Sequence, residues 1–406
     1  MTMSGRSHRL IWVCSMPLAA KLDSATWLEP TRELRRMGWD VTLVTSGERD
    51  GAQTIRGVDV FCIAIPNVYL WRYILFHLRL HDFVNRWKPA DIILFHSSSA
   101  LWLLPLRLLR VLSHRKTPLL VADTRSLYMP LKSKHGWRGM VRDKYERMMD
   151  AISIRWADGQ TVITSQMAKS LHIPLEKVWG VWPSGVDAHR FDGCAMQRVW
   201  PKDEEPVLLG YIGALEYERN LMDMAVAVLR ANAEGKNFRF TLVGDGTQRA
   251  ALESFAQDSR RCVEVIPSIP YEAIPEFLSH VHVGVLPFPN EEKFQVCSPI
   301  KLFEYMAAGL AILATRILCH TDVMKNENYV FWAESADEDG LLNALRALWE
   351  KRHTLGDVSA ASVSAAQAWT WSESAIQLKS ALEGGLSRHM ASTPGTANPV
   401  RGSARS

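Results

Sequence analysis

The stretch Ser298-Pro299-Ile300-Lys301-Leu302-Phe303-Glu304 brings a helix start, a cation and a carboxylate close together. Pro299 suits the first turn of a helix, where its missing N–H costs nothing. The unpaired N–H groups of such a turn hold anions, phosphate above all. Lys301 opposes the helix dipole, so helix stability alone does not explain it; a phosphate would, and the plainer reading is an ordinary amphipathic helix with two surface charges. Glu304 follows about one turn on, near the faces of Ile300 and Lys301, where a carboxylate suits the hydroxyls of a ribose. Gly309 then ends the helix, and residues 310–314 read as a buried strand.

Other residues have the types and placement for the same chemistry. Gly213, at the end of a strand pattern, lets a ligand approach the backbone. Arg219 follows, and its guanidinium suits a phosphate near a helix start; the plainer reading is a surface pair with Glu216 or Glu218. Gly244, in Leu242-Val243-Gly244-Asp245-Gly246, is a fragment of a dinucleotide-type turn that lacks the third glycine. His96 ends a strand pattern, where it suits a hydrogen bond to a sugar hydroxyl, proton transfer, or a structural role. Asp123 and Arg125 end the next strand, as cleft-facing catalytic and acceptor-side groups or as an internal ion pair. No metal is expected. Asp337-Glu338-Asp339 has an Asp-x-Asp form but stands where acids cap a helix. His77 and His81 have zincin-like spacing, with Leu78 where the glutamate would be.

Those residues need elements to hold them. The 406-residue length suits two domains, and 47% hydrophobic residues support two cores. Apolar runs at 10–14, 41–45, 58–63, 92–95, 119–122 and 160–163 alternate with helical patterns at 25–37, 69–87, 101–113 and 138–156. A second series has strands at 208–212, 239–243, 263–266, 283–286, 311–314 and 329–332, with helices at 220–232, 248–257, 274–279 and 337–351. Alternation of this kind predicts α/β domains with doubly wound parallel sheets. The expected plan is a first domain over 1–200, a polar, proline-bracketed linker over 201–206, and a second domain over 207–368. A last helix over 369–383 and a disordered, Gly/Ser-rich tail over 384–406 complete it.

Ligands of such sheets lie at the strands' carboxyl ends, so the site is expected in the cleft between the two Rossmann-like domains. The six scattered cysteines, with no CxxC, argue against a disulfide framework or zinc site and fit a reducing cytosol. Residues 10–14 are too short, and Pro17 too close, for a signal peptide. Residues 66–147 carry 15 basic and 5 acidic side chains, together with several tryptophans. Such a stretch suits an anionic membrane surface or a solvated helix face.

Tyr211-Ile212-Gly213-x-Leu215-x3-Arg219-Asn220-Leu221, then Leu242-Val243-Gly244-Asp245-Gly246, Leu286-Pro287-Phe288 and 298–309, occur in that order. The combination resembles the group 1 family of retaining glycosyltransferases, which have the GT-B fold. Pro183-Ser184-Gly185-Val186-Asp187 and Trp371 resemble that family's turn before the interdomain linker and the aromatic opening its final helix. The likeness covers about residues 8–383.

The resemblance implies sugar transfer from a nucleotide-sugar donor to a glycan or lipid-linked acceptor, in envelope or exopolysaccharide assembly. Glu304 would bind the ribose. Arg219, Lys301 and the Ser298-Pro299-Ile300 turn would hold the diphosphate. The family's first motif glutamate falls on Val296, its second phosphate lysine is missing after Arg219, and its glycine-rich first turn is replaced by Ser15-Met16-Pro17-Leu18-Ala19. No cofactor and no nucleic acid partner are expected; the location is cytoplasmic, peripheral at the inner membrane face. Two rival readings are a nucleotide-sugar epimerase of the same architecture and, because of Val296, a non-catalytic nucleotide-sugar-binding partner.

Overall fold

A computed structural model describes residues 7–18, 24–66, 71–86, 89–113, 117–127, 137–202, 205–325 and 327–392. The first half forms one sheet of eight strands: β1 (Arg9–Cys14), β2 (Asp40–Gly47), β3 (Gly51–Ile55), β4 (Val58–Ala64), β5 (Ile92–His96), β6 (Leu119–Thr124), β7 (Gly159–Val162) and β8 (Val178–Val181). Their order is β3-β4-β2-β1-β5-β6-β7-β8, parallel except for the β3–β4 hairpin. The second half forms a six-stranded parallel sheet from β9 (Val207–Ile212), β10 (Phe238–Val243), β11 (Val263–Ile266), β12 (Val283–Leu286), β13 (Ala311–Thr315) and β14 (Val330–Ala333). Its order is β11-β10-β9-β12-β13-β14. Each sheet reverses its winding beside its first strand, which is where doubly wound sheets bind ligands.

Most of the apolar runs became central strands because helices cover both sheet faces; β6, β12 and β13 are buried along their whole length, while β11 and β14 form the edges of the second sheet. Strands β3 and β8 were not expected. β3 is an edge strand with alternating exposure, and its Gly-Ala-Gln-Thr-Ile sequence carries no apolar run.

Contacts between the halves come from residues just past strand ends. Thr164, after β7, donates its hydroxyl to the Val296 carbonyl at 2.8 Å. Ser184, after β8, donates its N–H to Ser298 Oγ at 3.1 Å. Val296 is fully buried in a cluster with Val162, Ile163, Met167, Ala168 and Ile173 of the first half. The chain then returns. Val186 and Thr370 form an isolated bridge, and Ser374 donates to the Pro183 carbonyl at 2.8 Å.

The last helix, Trp371–Ser392, inserts Leu378, Leu382 and Leu386 into the first sheet's core. The expected tail from residue 384 is therefore corrected: residues 384–392 are helical. Gly385 lies against the Trp179 ring, where a side chain would clash. Composition pointed to disorder, and packing overrode it. Residues 393–406, and positions 203–204 of the expected linker, lie outside the described residues.

Candidate functional site

The helix Ile300–Ala307 begins at Pro299, which takes the N-cap position in an extended conformation, one place before the expected first turn. Ser298, Pro299, Ile300 and Lys301 are all partly exposed. The buried face of the helix carries Leu302, Phe303, Tyr305 and Met306. Tyr305 packs its ring over Gly284 of β12, and its hydroxyl accepts the Ile212 N–H at 3.1 Å. This bond fixes the helix start beside the carboxyl end of β9.

At that end Gly213 has φ +139°, and a Cβ there would lie 2.6 Å from Lys301 Nζ. The lysine side chain thus lies over the backbone of the first turn, with its Nζ 5.7 Å from the Tyr211 ring centroid. Gly244, at φ +153°, abuts the Gly213 carbonyl, and the Gly213 N–H donates to Val243 O at 2.8 Å. The two glycine turns interlock, which a side chain on Gly244 would not permit, because its Cβ would run into the Gly213 carbonyl oxygen. Gly213 and Gly244 are therefore brought together with Lys301.

Arg219 ends a short 3₁₀ turn, Tyr217–Arg219. Its guanidinium lies 4.8 Å from the Phe288 ring centroid and 5.3 Å from that of Phe294. An aromatic platform of this kind holds a cation without neutralising it. Glu216, a suggested surface partner, instead accepts from the N–H and hydroxyl of Thr247. The charges of Arg219 and Lys301 both act on the Cys297 thiol, so the two cations share one neighbourhood.

Glu304 is buried, and burial pushes its carboxyl above the usual range against the pull of Lys301 and Arg190. Its charge is also felt by Tyr271, whose hydroxyl is pushed up mainly by burial. Arg190 and Arg56 stack on that ring, 4.0 and 4.5 Å from its centroid. Tyr271, Arg190 and Arg56 had no motif to mark them; they meet only because the β3–β4 turn, the 183–191 segment and the loop after β11 converge.

The first-half candidates divide. His96 is partly exposed at the end of β5; its Nδ1 accepts the Ser98 N–H at 3.3 Å, capping a 3₁₀ turn. Asp123 is turned inward, so its expected cleft-facing placement is corrected. Its Oδ1 accepts from Thr161 Oγ1 at 2.7 Å and from Trp182 Nε1 at 2.8 Å. Burial raises its carboxyl, with Arg125 opposing.

Arg125 lies 3.5 Å from the centroid of the Trp182 ring and donates to the Trp182 carbonyl at 2.9 Å and to Ser184 Oγ at 3.4 Å. These bonds tie β6 to the segment that meets Ser298, so Arg125, itself partly exposed, braces that segment. The inward turn follows from strand geometry: successive side chains face opposite ways, and Trp182 supplies a donor where Asp123 emerges.

His77 and His81 donate to the carbonyls of Tyr73 and Trp102, each at 2.7 Å. Asp337 caps the helix Glu338–Glu350 by accepting the Gly340 N–H at 2.8 Å. Among the described residues no group of three or more His, Cys, Asp or Glu is placed to hold a metal ion.

Comparison with known proteins agrees with this architecture. A family model described as "Glycosyl transferases group 1" matches residues 206–351, and one described as "Glycosyltransferase Family 4" matches residues 26–190. A curated 2-deoxystreptamine glucosyltransferase of Streptomyces kanamyceticus is 26% identical over 51% of this chain and 56% of its own length. A putative teichuronic acid biosynthesis glycosyltransferase of Bacillus subtilis, TuaH, is 25% identical over 50% of this chain and 51% of its own length. The chain thus spans about half the length of the curated relatives it matches.

Among solved structures, sucrose-phosphate synthase from Thermosynechococcus elongatus superposes with a TM-score of 0.74 at 16% identity, covering 95% of this chain and 100% of that one. Anabaena HepE in complex with UDP and glucose gives 0.64 at 12% identity, covering 92% and 99%. At those identities the likeness establishes the fold. Since the two family models divide at the junction between the sheets and both describe glycosyltransferases, the chain belongs to the group 1 glycosyltransferases of GT-B fold.

Proposed function

We propose that this protein transfers a sugar, with retained anomeric configuration, from a nucleoside diphosphate sugar to a glycan or lipid-linked acceptor of a bacterial envelope or exopolysaccharide. The observation that carries the reading is the packing of Lys301 over Gly213, beside Arg219 and the open start of the helix Ile300–Ala307. Sugar transfer leaves a nucleoside diphosphate whose negative charge grows as the glycosidic bond breaks. Two cations and free helix N–H groups, held in place beforehand, stabilise that charge most in the transition state. Glu304 accepts hydrogen bonds from the ribose. The UDP in the HepE structure and the teichuronic acid assignment of TuaH support the donor and acceptor classes.

The acceptor side belongs to the first half, with His96 at the mouth of β5 as the group for a sugar hydroxyl. Its outer helices, Ala100–Ser113 and Trp137–Trp156, expose Leu108, Leu109, Met140, Val141 and Met148 beside the exposed Arg142, Lys144 and Arg147. Apolar and basic groups on one surface suit an anionic bilayer that carries a lipid-linked acceptor. No helix among the described residues is long and apolar enough to cross a membrane.

The deciding experiment is a thermal-shift panel of UDP, GDP, ADP and dTDP on the purified protein, followed by product analysis with the matching nucleotide-sugar. A shift with one nucleotide, and product only when acceptor is added, is the expected result. Product from donor alone would favour an epimerase. Tight binding without turnover would favour a non-catalytic partner. Flotation with phosphatidylglycerol vesicles at low but not high salt is expected for the membrane face; salt-independent flotation or none would remove that part.

A further inference from the structure

Cys297 immediately precedes the Ser298-Pro299 turn, and Cys319 lies on the helix Leu318–Met324. Their two thiols hydrogen-bond each other. The segments that carry them are already fastened, because the Leu318 N–H donates to Gln295 Oε1 at 2.7 Å. Cys297 Sγ also contacts the Phe294 carbonyl at 3.2 Å. Cys297 is partly exposed, whereas Cys319 and the other four cysteines are buried.

We propose that Cys297 and Cys319 are a reversible thiol–disulfide pair that controls the phosphate-holding turn. The chemistry of the two sulfurs differs in the direction such a pair needs. The hydrogen bond from Cys319, then the charges of Arg219 and Lys301, lower the Cys297 thiol; burial holds the Cys319 thiol well above its ordinary value. Cys297 is therefore the sulfur that ionises first, and Cys319 resolves it.

With a hydroperoxide as oxidant, the Cys297 thiolate attacks a peroxide oxygen. The S–O bond forms to the terminal oxygen, the O–O bond breaks, and alkoxide (hydroxide when the oxidant is hydrogen peroxide) leaves and takes the proton that the Cys297 thiol released. The Cys319 sulfur then attacks the sulfenic sulfur of Cys297. The S–S bond forms and the S–O bond breaks; the departing hydroxide takes the Cys319 proton as water. In sum two thiols are oxidised, and one hydroperoxide is reduced to water and its alcohol or a second water.

Drawing the sulfurs from hydrogen-bond contact to a bond of about 2.05 Å pulls Cys297 toward Cys319. Ser298 is its next neighbour in the chain, so the turn moves with it. Displacement of such a turn by about 1 Å weakens the positioning of whatever it holds. The gating half of this proposal rests on the donor reading given above; the disulfide half does not.

The test treats the full chain with hydrogen peroxide, maps its peptides without reduction, and measures UDP affinity, or that of whichever nucleoside diphosphate binds, before and after. The expected result is a Cys297–Cys319 cross-link that dithiothreitol reverses and that neither Cys297→Ser nor Cys319→Ser can form. Nucleotide affinity should fall about tenfold or more on oxidation, recover on reduction, and show no such fall in Cys319→Ser. Bound nucleotide should slow the cross-link, since its phosphates draw on Arg219 and Lys301. Oxidation of Cys297 to sulfinic acid with Cys319 still free would overturn the pair. A cross-link with unchanged affinity would overturn the gating. Failure of the reduced protein to bind any nucleoside diphosphate would sink the donor reading and the gating with it, while the peptide map still decides the disulfide.

Discussion

Lys301 Nζ occupies the space that a side chain on Gly213 would fill: a Cβ there would stand 2.6 Å away. The glycine ends β9 and the lysine opens a helix far along the chain, so one residue is small because the other is present. The pair joins the two sequence motifs of the second half into one phosphate-facing surface, and it makes the role of each testable through the other.

Gly213→Ala should weaken nucleoside diphosphate binding with only a modest loss of stability. Its positive φ costs an alanine about 1 kcal/mol, but the obstructing atoms are the flexible end of Lys301, which is pushed aside. Calorimetric titration should show Lys301→Met weakening binding by about tenfold or more. The double variant should be little worse than Lys301→Met alone. Fully additive losses would mean that the two residues act separately.

Glu304→Gln should stabilise the nucleotide-free protein at neutral pH while weakening its ligand. The folded-state carboxyl is raised above its usual 4.5 by burial. Between that value and the raised one, the native state holds more protons than the unfolded chain. Its contribution is thus most favourable below the unfolded value and is lost as pH rises through the folded one. Melting curves should therefore put the glutamine variant above the wild type at pH 7, with the gap closing toward pH 4. A gap that widens on acidification would contradict the burial argument.

Asp123→Asn should retain most of its transferase rate, because asparagine Oδ1 still accepts from Thr161 and Trp182. Asp123→Ala should lose about 2–4 kcal/mol of stability, because it strands both buried donors. Denaturant unfolding and initial rates on the two variants separate a structural acceptor from a proton-transfer group. A rate collapse in Asp123→Asn at unchanged stability would restore the catalytic assignment.

Arg56→Ala should let the two halves open. Arg56 lies in the β3–β4 turn of the first sheet and stacks on Tyr271 of the second half, with Arg190 also on that ring. Loss of one such contact costs about 0.5–1 kcal/mol, too little to unfold the chain but enough to shift a balance between open and closed halves. Small-angle X-ray scattering should give a larger radius of gyration for the variant at equal melting temperature. Identical scattering profiles would show that the contact does not hold the halves.

Some of this was legible in the sequence because its signal is local. The central strands β9, β12 and β13 of the second sheet are short apolar runs, since helices cover both faces of a parallel sheet, whereas β10 and the edge strand β11 carry the exposed Arg239 and Glu264. The anion-holding features of residues 298–304 likewise follow from residue types within one helical turn. Their neighbourhood with Gly213 and Arg219, suggested by the family's motif order, needed the fold to acquire a geometry.

Tertiary structure alone decided the rest, because the deciding partner is distant in the chain. Val296, where the family resemblance places a glutamate, is fully buried against Val162, Ile163 and Met167, so at this position a hydrophobic contact between the halves stands in place of a carboxylate. Asp123 was turned from the cleft by Trp182, which arrives from the strand two places along the sheet and whose carbonyl also accepts from Arg125. The glycines at 384 and 385 read as tail by composition, yet Gly385 is what lets the last helix lie against Trp179. Local propensity sets which elements form; which face of each meets solvent, ligand or the other half is fixed only when elements far apart in the chain pack together.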